Sequence, residues 1–184
     1  MAKLIDVIEY LNRGHVHYQI ISHMHAYTAH NTALATHVPD SELAKTLVLR
    51  AGDQFWMAVL PADHRLSERK VKKVLEARHI RLAHEEELEL LIPDCQVGAM
   101  PPFGNLYGLP VLVDKSLTED DEIVFNACTH TEAVRMKFAD FERLVKPLIG
   151  EIAERPIVRG EHAPEYRFEA THPDDTNNMM SGEA

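Results

Sequence analysis

Two short apolar runs separated by a turn signal constrain the fold of this 184-residue chain more than any other feature. Residues 45–50 and 55–60 are rich in branched and aromatic side chains, and Ala51-Gly-Asp-Gln lies between them. Glycine suits such a turn because it tolerates a positive φ angle. The pattern predicts a β-hairpin, and therefore a domain that includes a sheet.

The rest of the chain mixes further strands with helices. Apolar spacing and capping residues predict helices at 2–13, 28–37, 67–77, 85–91 and 140–149, and strands at 16–21, 79–82, 111–113, 122–127 and 133–138. No regular βαβ alternation appears. We therefore expect an α/β fold in one domain, 1–150, with a mixed, mostly antiparallel sheet or partial barrel flanked by helices.

Residues 151–184 differ from the preceding part of the chain in composition. They carry eight acidic residues against three arginines, which is half of the net charge of -10, and they include three prolines. Such a segment is typical of an acidic, irregular C-terminal tail.

The overall composition is that of a soluble globular protein, with 45% hydrophobic and 26% charged residues. No run approaches the roughly 20 apolar residues of a membrane span. The N-terminus lacks the anatomy of a signal peptide. Cys95 and Cys128 lie far apart and form no CxxC motif, so we expect a cytoplasmic protein with no disulfide framework and no membrane partner.

One segment of this acidic chain is basic. Residues 65–81 include seven basic side chains and only two acidic ones. The basic residues are Arg65, Arg69, Lys70, Lys72, Lys73, Arg78 and Arg81, and the acidic residues are Glu68 and Glu76. The cluster is compatible with a local phosphate contact. A solvated helix surface is the alternative.

Two motifs carry candidate chemistry. Residues 97–104 read Val-Gly-Ala-Met-Pro-Pro-Phe-Gly, in which glycines flank a rigid proline pair and can leave backbone amides open to a ligand. Lys45 stands where the first strand of the hairpin begins. It is either an edge residue of the sheet or an ammonium placed to bind an anion.

The order of several motifs resembles one family. The motifs are Lys45-Thr-Leu-Val-Leu, Ala58-Val-Leu-Pro-Ala-Asp, Gly98-Ala-Met-Pro-Pro-Phe-Gly, Val111-Leu-Val-Asp-Lys-Ser-Leu and Val124-Phe-Asn-Ala. Together they are similar to the free-standing aminoacyl-tRNA deacylases of the YbaK/EbsC type, which are related to the editing domain of bacterial prolyl-tRNA synthetase. The resemblance covers roughly residues 1–148.

The resemblance implies hydrolysis of the ester that joins a wrongly attached amino acid to the terminal adenosine of a tRNA. It needs no metal or other cofactor, and the neighbouring ribose hydroxyl assists. Lys45, Gly98 and His130 are the implied catalytic residues. Substrate binding is assigned to Tyr27, Thr28, Thr46, Pro101, Pro102, Phe103, Gly104 and Cys128. Phe103, expected on an exposed loop, is a candidate for stacking on adenine.

Alternatives remain open at several of these positions. His130 either orients water or the ribose hydroxyl, or simply bonds backbone at a turn. Cys128 stands where the family usually has glycine, which either narrows the pocket or leaves it unchanged. Six histidines in the first 37 residues suggest surface positions more than a zinc site, because no acidic or cysteine ligand lies among them.

The sequence thus predicts a trans-editing deacylase for tRNA(Pro) carrying a small non-cognate amino acid, acting as a second sieve. Its partner would be aminoacyl-tRNA, with a synthetase or an elongation factor as a further partner, and it would be a monomer or homodimer. The rival hypotheses are an inactive module that binds a nucleotide or a tRNA end, and a protein that docks on a synthetase.

Overall fold

The structure is a computed structural model that describes residues 4–155. The helices are α1 (Leu4–Arg13), α2 (Ala29–Thr36), α3 (Glu68–Val74), α4 (Glu85–Leu91) and α5 (Phe138–Val145). The strands are β1 (Tyr18–Ser22), β2 (Ala44–Ala51), β3 (Gln54–Pro61), β4 (Arg65–Leu66), β5 (Ile80–Leu82), β6 (Val111–Asp114), β7 (Glu122–Asn126), β8 (Glu132–Lys137), β9 (Leu148–Gly150) and β10 (Ala153–Glu154). None of these helices is long and apolar enough to cross a bilayer.

The largest sheet has the strand order β5-β2-β3-β6-β9. Its centre is the expected β2–β3 hairpin, in which Ala51 pairs with Gln54 and Gly52 takes a φ of 60° in the two-residue turn. β6 pairs in parallel with both β3 and β9. The hairpin predicted from the sequence is confirmed.

A second sheet, β1-β8-β7, is antiparallel throughout. A parallel bridge between Leu43 and Val124 joins it to the chain entering β2, where the Val124 amide donates to the carbonyl of Glu42 over 3.0 Å. A short pair, β10 with β4, completes the sheets of residues 4–155. The mixed, mostly antiparallel architecture is confirmed, and the described strands do not close into a barrel.

The main core lies between the inner faces of the two larger sheets and is closed by α1 and α5. Three fully buried rings meet there: Phe103 packs edge-on against Phe125 at 5.3 Å and against Phe141 at 5.7 Å between ring centroids. Burying such a side chain contributes about 1.5–3 kcal/mol. This packing fixes the loop that carries Phe103.

Two smaller apolar clusters cover the outer faces. Beneath α2, Ala33 lies in a cluster with Leu43, Val124 and Ala133. Beneath α3, Val71 lies in a cluster with Leu49, Ala58, Leu112 and Ile152. The outer face of β2 therefore meets α2 at one end and α3 at the other.

The C-terminal part of the domain differs from the prediction. The closing helix was expected over 140–149 but ends at Val145, where Lys146 takes a φ of 51° and Pro147 cannot continue the helix. Residues 148–150 then form β9 instead. The helix expected to reach residue 77 also ends earlier, at Val74.

The sheet structure continues past residue 150. Residues 153–154 form β10, and the amides of Ile152 and Ala153 each donate to Oδ2 of Asp114 over 2.8 Å. The first residues of the segment assigned to the tail therefore take part in the fold. The remainder of the tail, from residue 156, lies outside the described residues.

Candidate active site

The proline-containing loop is held by the turn between β7 and β8. The Gln96 amide donates to the carbonyl of Cys128 over 3.0 Å, and the Cys128 amide donates to the carbonyl of Ala99 over 2.9 Å. These reciprocal bonds act like a short ladder between two irregular segments. The position of Gly98, between them, is therefore set by β7 and β8.

Gly98 has a left-handed backbone conformation that favours glycine. Its φ is 85°, a region that costs an L side chain about 1–2 kcal/mol, and the residue is exposed. Among the described residues its amide makes no hydrogen bond. A backbone donor is thus available to an incoming oxygen atom.

His130 bridges this loop to the segment that precedes α2. Its Nδ1 lies 3.1 Å from the carbonyl oxygen of Ala26, and its Nε2 lies 3.0 Å from that of Val97. Its own amide donates to Oε1 of Gln96 over 2.9 Å. Both ring nitrogens face backbone carbonyls, so the geometry matches a histidine that bonds backbone at a turn and leaves no nitrogen directed at a water molecule.

Tyr27 and Thr28 lie next to this bridge. The Tyr27 ring is 73% exposed, stacks on His25 at 4.6 Å and lies 5.2 Å from the His130 ring. The Thr28 side chain accepts the Asn31 amide over 3.1 Å and thereby caps α2. An exposed aromatic surface therefore borders Gly98, while Thr28 orients the helix behind it.

Lys45 is a largely buried cation. Its Nζ donates to the carbonyl of Ala62 over 3.1 Å and to that of His64. Burial lowers the pKa of its ammonium to about 8; the carboxylate of Asp63 opposes that shift, Arg65 adds to it, and Asp40 opposes it. The ammonium donates to two neutral carbonyl oxygens, and the carboxylates of Asp63 and Asp40 lie near enough to raise its pKa.

Thr46, next along β2, points the other way by strand alternation, toward Ala44 and Val48 in the main core. Its side chain is buried, and the Oγ1 atom has no hydrogen-bond partner among the described residues. Thr46 and Lys45 therefore do not share a face of the strand.

The second half of the loop is structural. Pro101, Pro102, Phe103 and Gly104 are all buried, and a Cβ on Gly104 would lie 2.5 Å from the Leu109 carbonyl oxygen. The expectation of an exposed Phe103 is wrong, because the apolar ring gains more from the aromatic core than from solvent. In this conformation Phe103 cannot stack on adenine.

Cys95 and Cys128 form a disulfide, with their Cα atoms 4.3 Å apart. The expectation of a chain with no disulfide framework is wrong for this pair, because the hydrogen bonds around Gly98 bring together segments that are 33 residues apart in sequence. Cys128 has a φ of 69°, in the left-handed region that favours glycine.

Sequence reasoning missed Asn126. It ends β7 after three buried residues, and its side-chain Oδ1 is buried with no hydrogen-bond partner among residues 4–155. A polar residue that interrupts a buried strand was the available signal.

The structure thus gathers Gly98, Cys128, His130, Tyr27 and Thr28 around one loop. The Nζ of Lys45 bonds the carbonyls of Ala62 and His64, in the chain that follows β3, and Asp40 is near enough to influence its charge. A cleft of about 410 Å³ lies beyond it and shares only His64 with the surroundings of Lys45; its other lining residues are Lys70, Asp114, Lys115, Ser116, Glu119, Glu151, Ala153, Glu154 and Arg155.

The comparisons with known proteins decide the family. The family model described as the aminoacyl-tRNA editing domain matches residues 23–144, the segment that contains β2 to β8 and every candidate residue above. The chain belongs to the aminoacyl-tRNA editing domain family. The resemblance found in the motif order is thereby confirmed.

Relatives of the editing domain include larger enzymes. The chain is 40% identical over 92 residues to a proline–tRNA ligase of Sulfurihydrogenibium sp. and 29% identical over 91 residues to one of Bacillus cytotoxicus. These matches cover 49% and 50% of the chain, but only 15% of each ligase.

A solved structure described as a candidate trans-editing enzyme for prolyl tRNA synthetase has the same fold. Its TM-score is 0.74 at 20% identity, and the superposition covers 82% of this chain and 96% of that one.

Proposed function

We propose that this protein is a trans-editing deacylase, which hydrolyses the ester of a mischarged aminoacyl-tRNA. The observation that carries the proposal is the amide of the exposed Gly98, which makes no hydrogen bond among the described residues and lies within the matched editing domain. An aminoacyl ester is already activated, so a site that orients it and stabilises the oxyanion is sufficient for catalysis.

In this proposal the Gly98 amide donates to the ester carbonyl oxygen as negative charge develops there. Water attacks the carbonyl carbon, and the neighbouring ribose hydroxyl of the substrate assists the proton transfer to the departing ribose oxygen. Lys45, as an ammonium, binds the phosphate of the terminal adenosine. Tyr27 borders the amino-acid pocket.

His130 acts here as a positioning residue. Its ring joins Ala26 to Val97, and this fixes both the approach to Tyr27 and the orientation of Gly98. Because each ring nitrogen faces a backbone carbonyl, the role proposed for His130 is to order the loop and not to transfer a proton.

We propose tRNA(Pro) carrying alanine, cysteine, serine or threonine as the substrate. The proline–tRNA ligase relatives support the tRNA. The need for such a sieve follows from the small discrimination, about 1–3 kcal/mol, that one methylene provides in a synthetase pocket.

The test is deacylation of tRNA(Pro) charged with each of these amino acids or with proline. Wild type would be compared with Lys45→Ala and with Lys137→Ala, an exposed lysine at the end of β8. We expect wild type to hydrolyse at least one non-cognate species rapidly. Lys137→Ala should keep this activity, and Lys45→Ala should lose it. If no species is hydrolysed but tRNA still binds, the protein is a binding module and the proposal fails.

A further inference from the structure

The buried amide oxygen of Asn126 lacks a donor. Its Oδ1 is shielded from solvent and unpartnered among the described residues. Leaving such an acceptor without a hydrogen bond destabilises the folded protein. Such groups are few in native proteins, and a functional role is one of the reasons for which they are retained.

The position of Asn126 places it at the candidate site. It pairs with Ala133 on β8, which pairs in turn with Ile21 on β1, so these three side chains form one row on one face of the sheet. Ala133 and Ile21 belong to the apolar cluster beneath α2. Asn126 therefore lies on the face that α2 covers, close to the helix that Thr28 caps.

Two further relations tie Asn126 to the reacting groups. Ala127 separates it from Cys128, whose amide bonds the residue after Gly98. A parallel bridge joins Leu43, two residues before Lys45, to Val124, two residues before Asn126. Asn126 is thus near in sequence both to the turn that holds the Gly98 loop and to the point where β7 meets the chain entering β2.

The chemistry of the atom selects its partner. An amide oxygen accepts and does not donate, so the ligand must bring an N–H or O–H group. In an aminoacyl ester the α-ammonium is bonded to the carbon next to the reacting carbonyl, and it carries three donors. An acceptor two residues from the segment that holds Gly98 is placed to meet that group.

We infer that Asn126 is a substrate-binding residue whose Oδ1 accepts a hydrogen bond from the α-ammonium of the aminoacyl group. The inference rests on the proposed deacylase function and adds a requirement to it. The site selects esters with a free amine and discriminates against N-acylated ones.

The test compares hydrolysis of alanyl-, cysteinyl- and seryl-tRNA(Pro) with their N-acetylated forms. Wild type is assayed beside Asn126→Leu, Asn126→Asp, which keeps an acceptor oxygen, and the matched control Asn12→Leu on exposed α1 surface. Melting temperatures of all variants show that they fold.

We expect wild type, Asn126→Asp and Asn12→Leu to prefer the free amine by at least about 10-fold in kcat/KM. Asn126→Leu should lose that preference, because hydrolysis of the free-amine substrate falls to the rate of the N-acetylated one. Equal hydrolysis of both forms by wild type, or an undiminished preference in folded Asn126→Leu, overturns the inference while the deacylase function stands. Failure of wild type on every ester would instead overturn the proposed function.

Discussion

Lys45 combines the charge proposed to bind the substrate phosphate with a cost to stability. Burial lowers the pKa of its ammonium to about 8 in the folded state, whereas an unfolded lysine titrates near 10.5. Between these two values the unfolded chain binds more protons than the folded one. Stability due to this group therefore rises with pH from about 8 to about 10.5.

The first prediction concerns Lys45→Met. Its kcat/KM for the mischarged tRNA should fall about 10- to 100-fold, the equivalent of the roughly 1.5–3 kcal/mol of a hydrogen bond to a charged group. Its melting temperature at pH 7 should equal or exceed that of wild type, because a desolvated charge is removed. As pH rises from 8 to 10, the stability of wild type should increase relative to that of the variant. A Lys45→Met protein that melts well below wild type at pH 7 would contradict this account.

The second prediction contrasts two glycines of the same loop. In Gly98→Ala the added Cβ would lie 3.5 Å from the His130 ring, an ordinary contact distance. The substitution should cost about 1–2 kcal/mol in stability because of the positive φ, and it should lower the rate of deacylation. Gly104→Ala would press on the Leu109 carbonyl at 2.5 Å and on Val111 at 2.7 Å, and should cost about 3 kcal/mol. Chemical denaturation separates the two, and equal losses of stability would refute the assignment of Gly98 to function.

At the scale of elements, the basic residues around α3 are only partly available to a nucleic acid. Lys72 pairs with Glu68, Lys70 donates to the Ala153 carbonyl, and Arg81 pairs with Glu87 at 2.6 Å. Arg69 is 87% exposed, with a long 3.9 Å contact to Glu154. The exposed cations of this surface are Arg65, Arg69, Lys73 and Arg78, of which the last three lie on α3 or after it.

The third prediction follows from that surface. Changing Arg69, Lys73 and Arg78 together to glutamate should weaken tRNA binding and reduce the slope of log Kd against log salt by about two to three. The control reverses Arg13 and Lys137, exposed cations on α1 and β8. If both variants bind with the wild-type slope, tRNA contacts another face.

The fourth prediction concerns the disulfide between Cys95 and Cys128. Closing a loop across 33 residues restricts the unfolded chain, and loop entropy places the stabilisation at about 3–4 kcal/mol. A reducing agent should therefore lower the melting temperature of wild type but not that of Cys95→Ser. An unchanged wild-type melting temperature after verified reduction would show that the bond does not contribute.

At the scale of the molecule, local signals predicted local structure well. The hairpin at Gly52 and the helix capped by Thr28 follow from turn and capping chemistry that neighbouring residues determine. The motif order likewise identified the family and pointed to Gly98. Those features required no knowledge of distant contacts.

The remaining features depend on contacts distant in sequence. Phe103 is buried because rings from β7 and α5 surround it, and Cys95 meets Cys128 only after the sheets have formed. That the Oδ1 atom of Asn126 lacks a hydrogen-bond partner among the described residues can be recognised only from the structure around it. Sequence periodicity reports the face of an element, but not what that face meets.

The domain boundary gives the last prediction. Ile152 is fully buried beneath α3, and its amide, with that of Ala153, bonds the Asp114 carboxylate. Burial alone would raise the pKa of Asp114, but hydrogen bonds from Ser116, Ile152 and Ala153 outweigh it and hold the pKa below its ordinary value. Stability from these bonds is therefore present above the unfolded pKa near 3.8 and is lost as pH falls through the folded value.

A chain ending at residue 155 should accordingly keep both its fold and deacylation, whereas one ending at residue 150 should lose about 2–3 kcal/mol from Ile152 alone. The loss of the two Asp114 bonds adds to this difference at pH 7, and that addition should shrink as the pH is lowered toward 3, because a protonated carboxyl needs fewer donors. Thermal denaturation of both truncations across this pH range measures the effect. Equal stability at pH 7 would place residues 151–155 outside the folded domain and restore the boundary at residue 150.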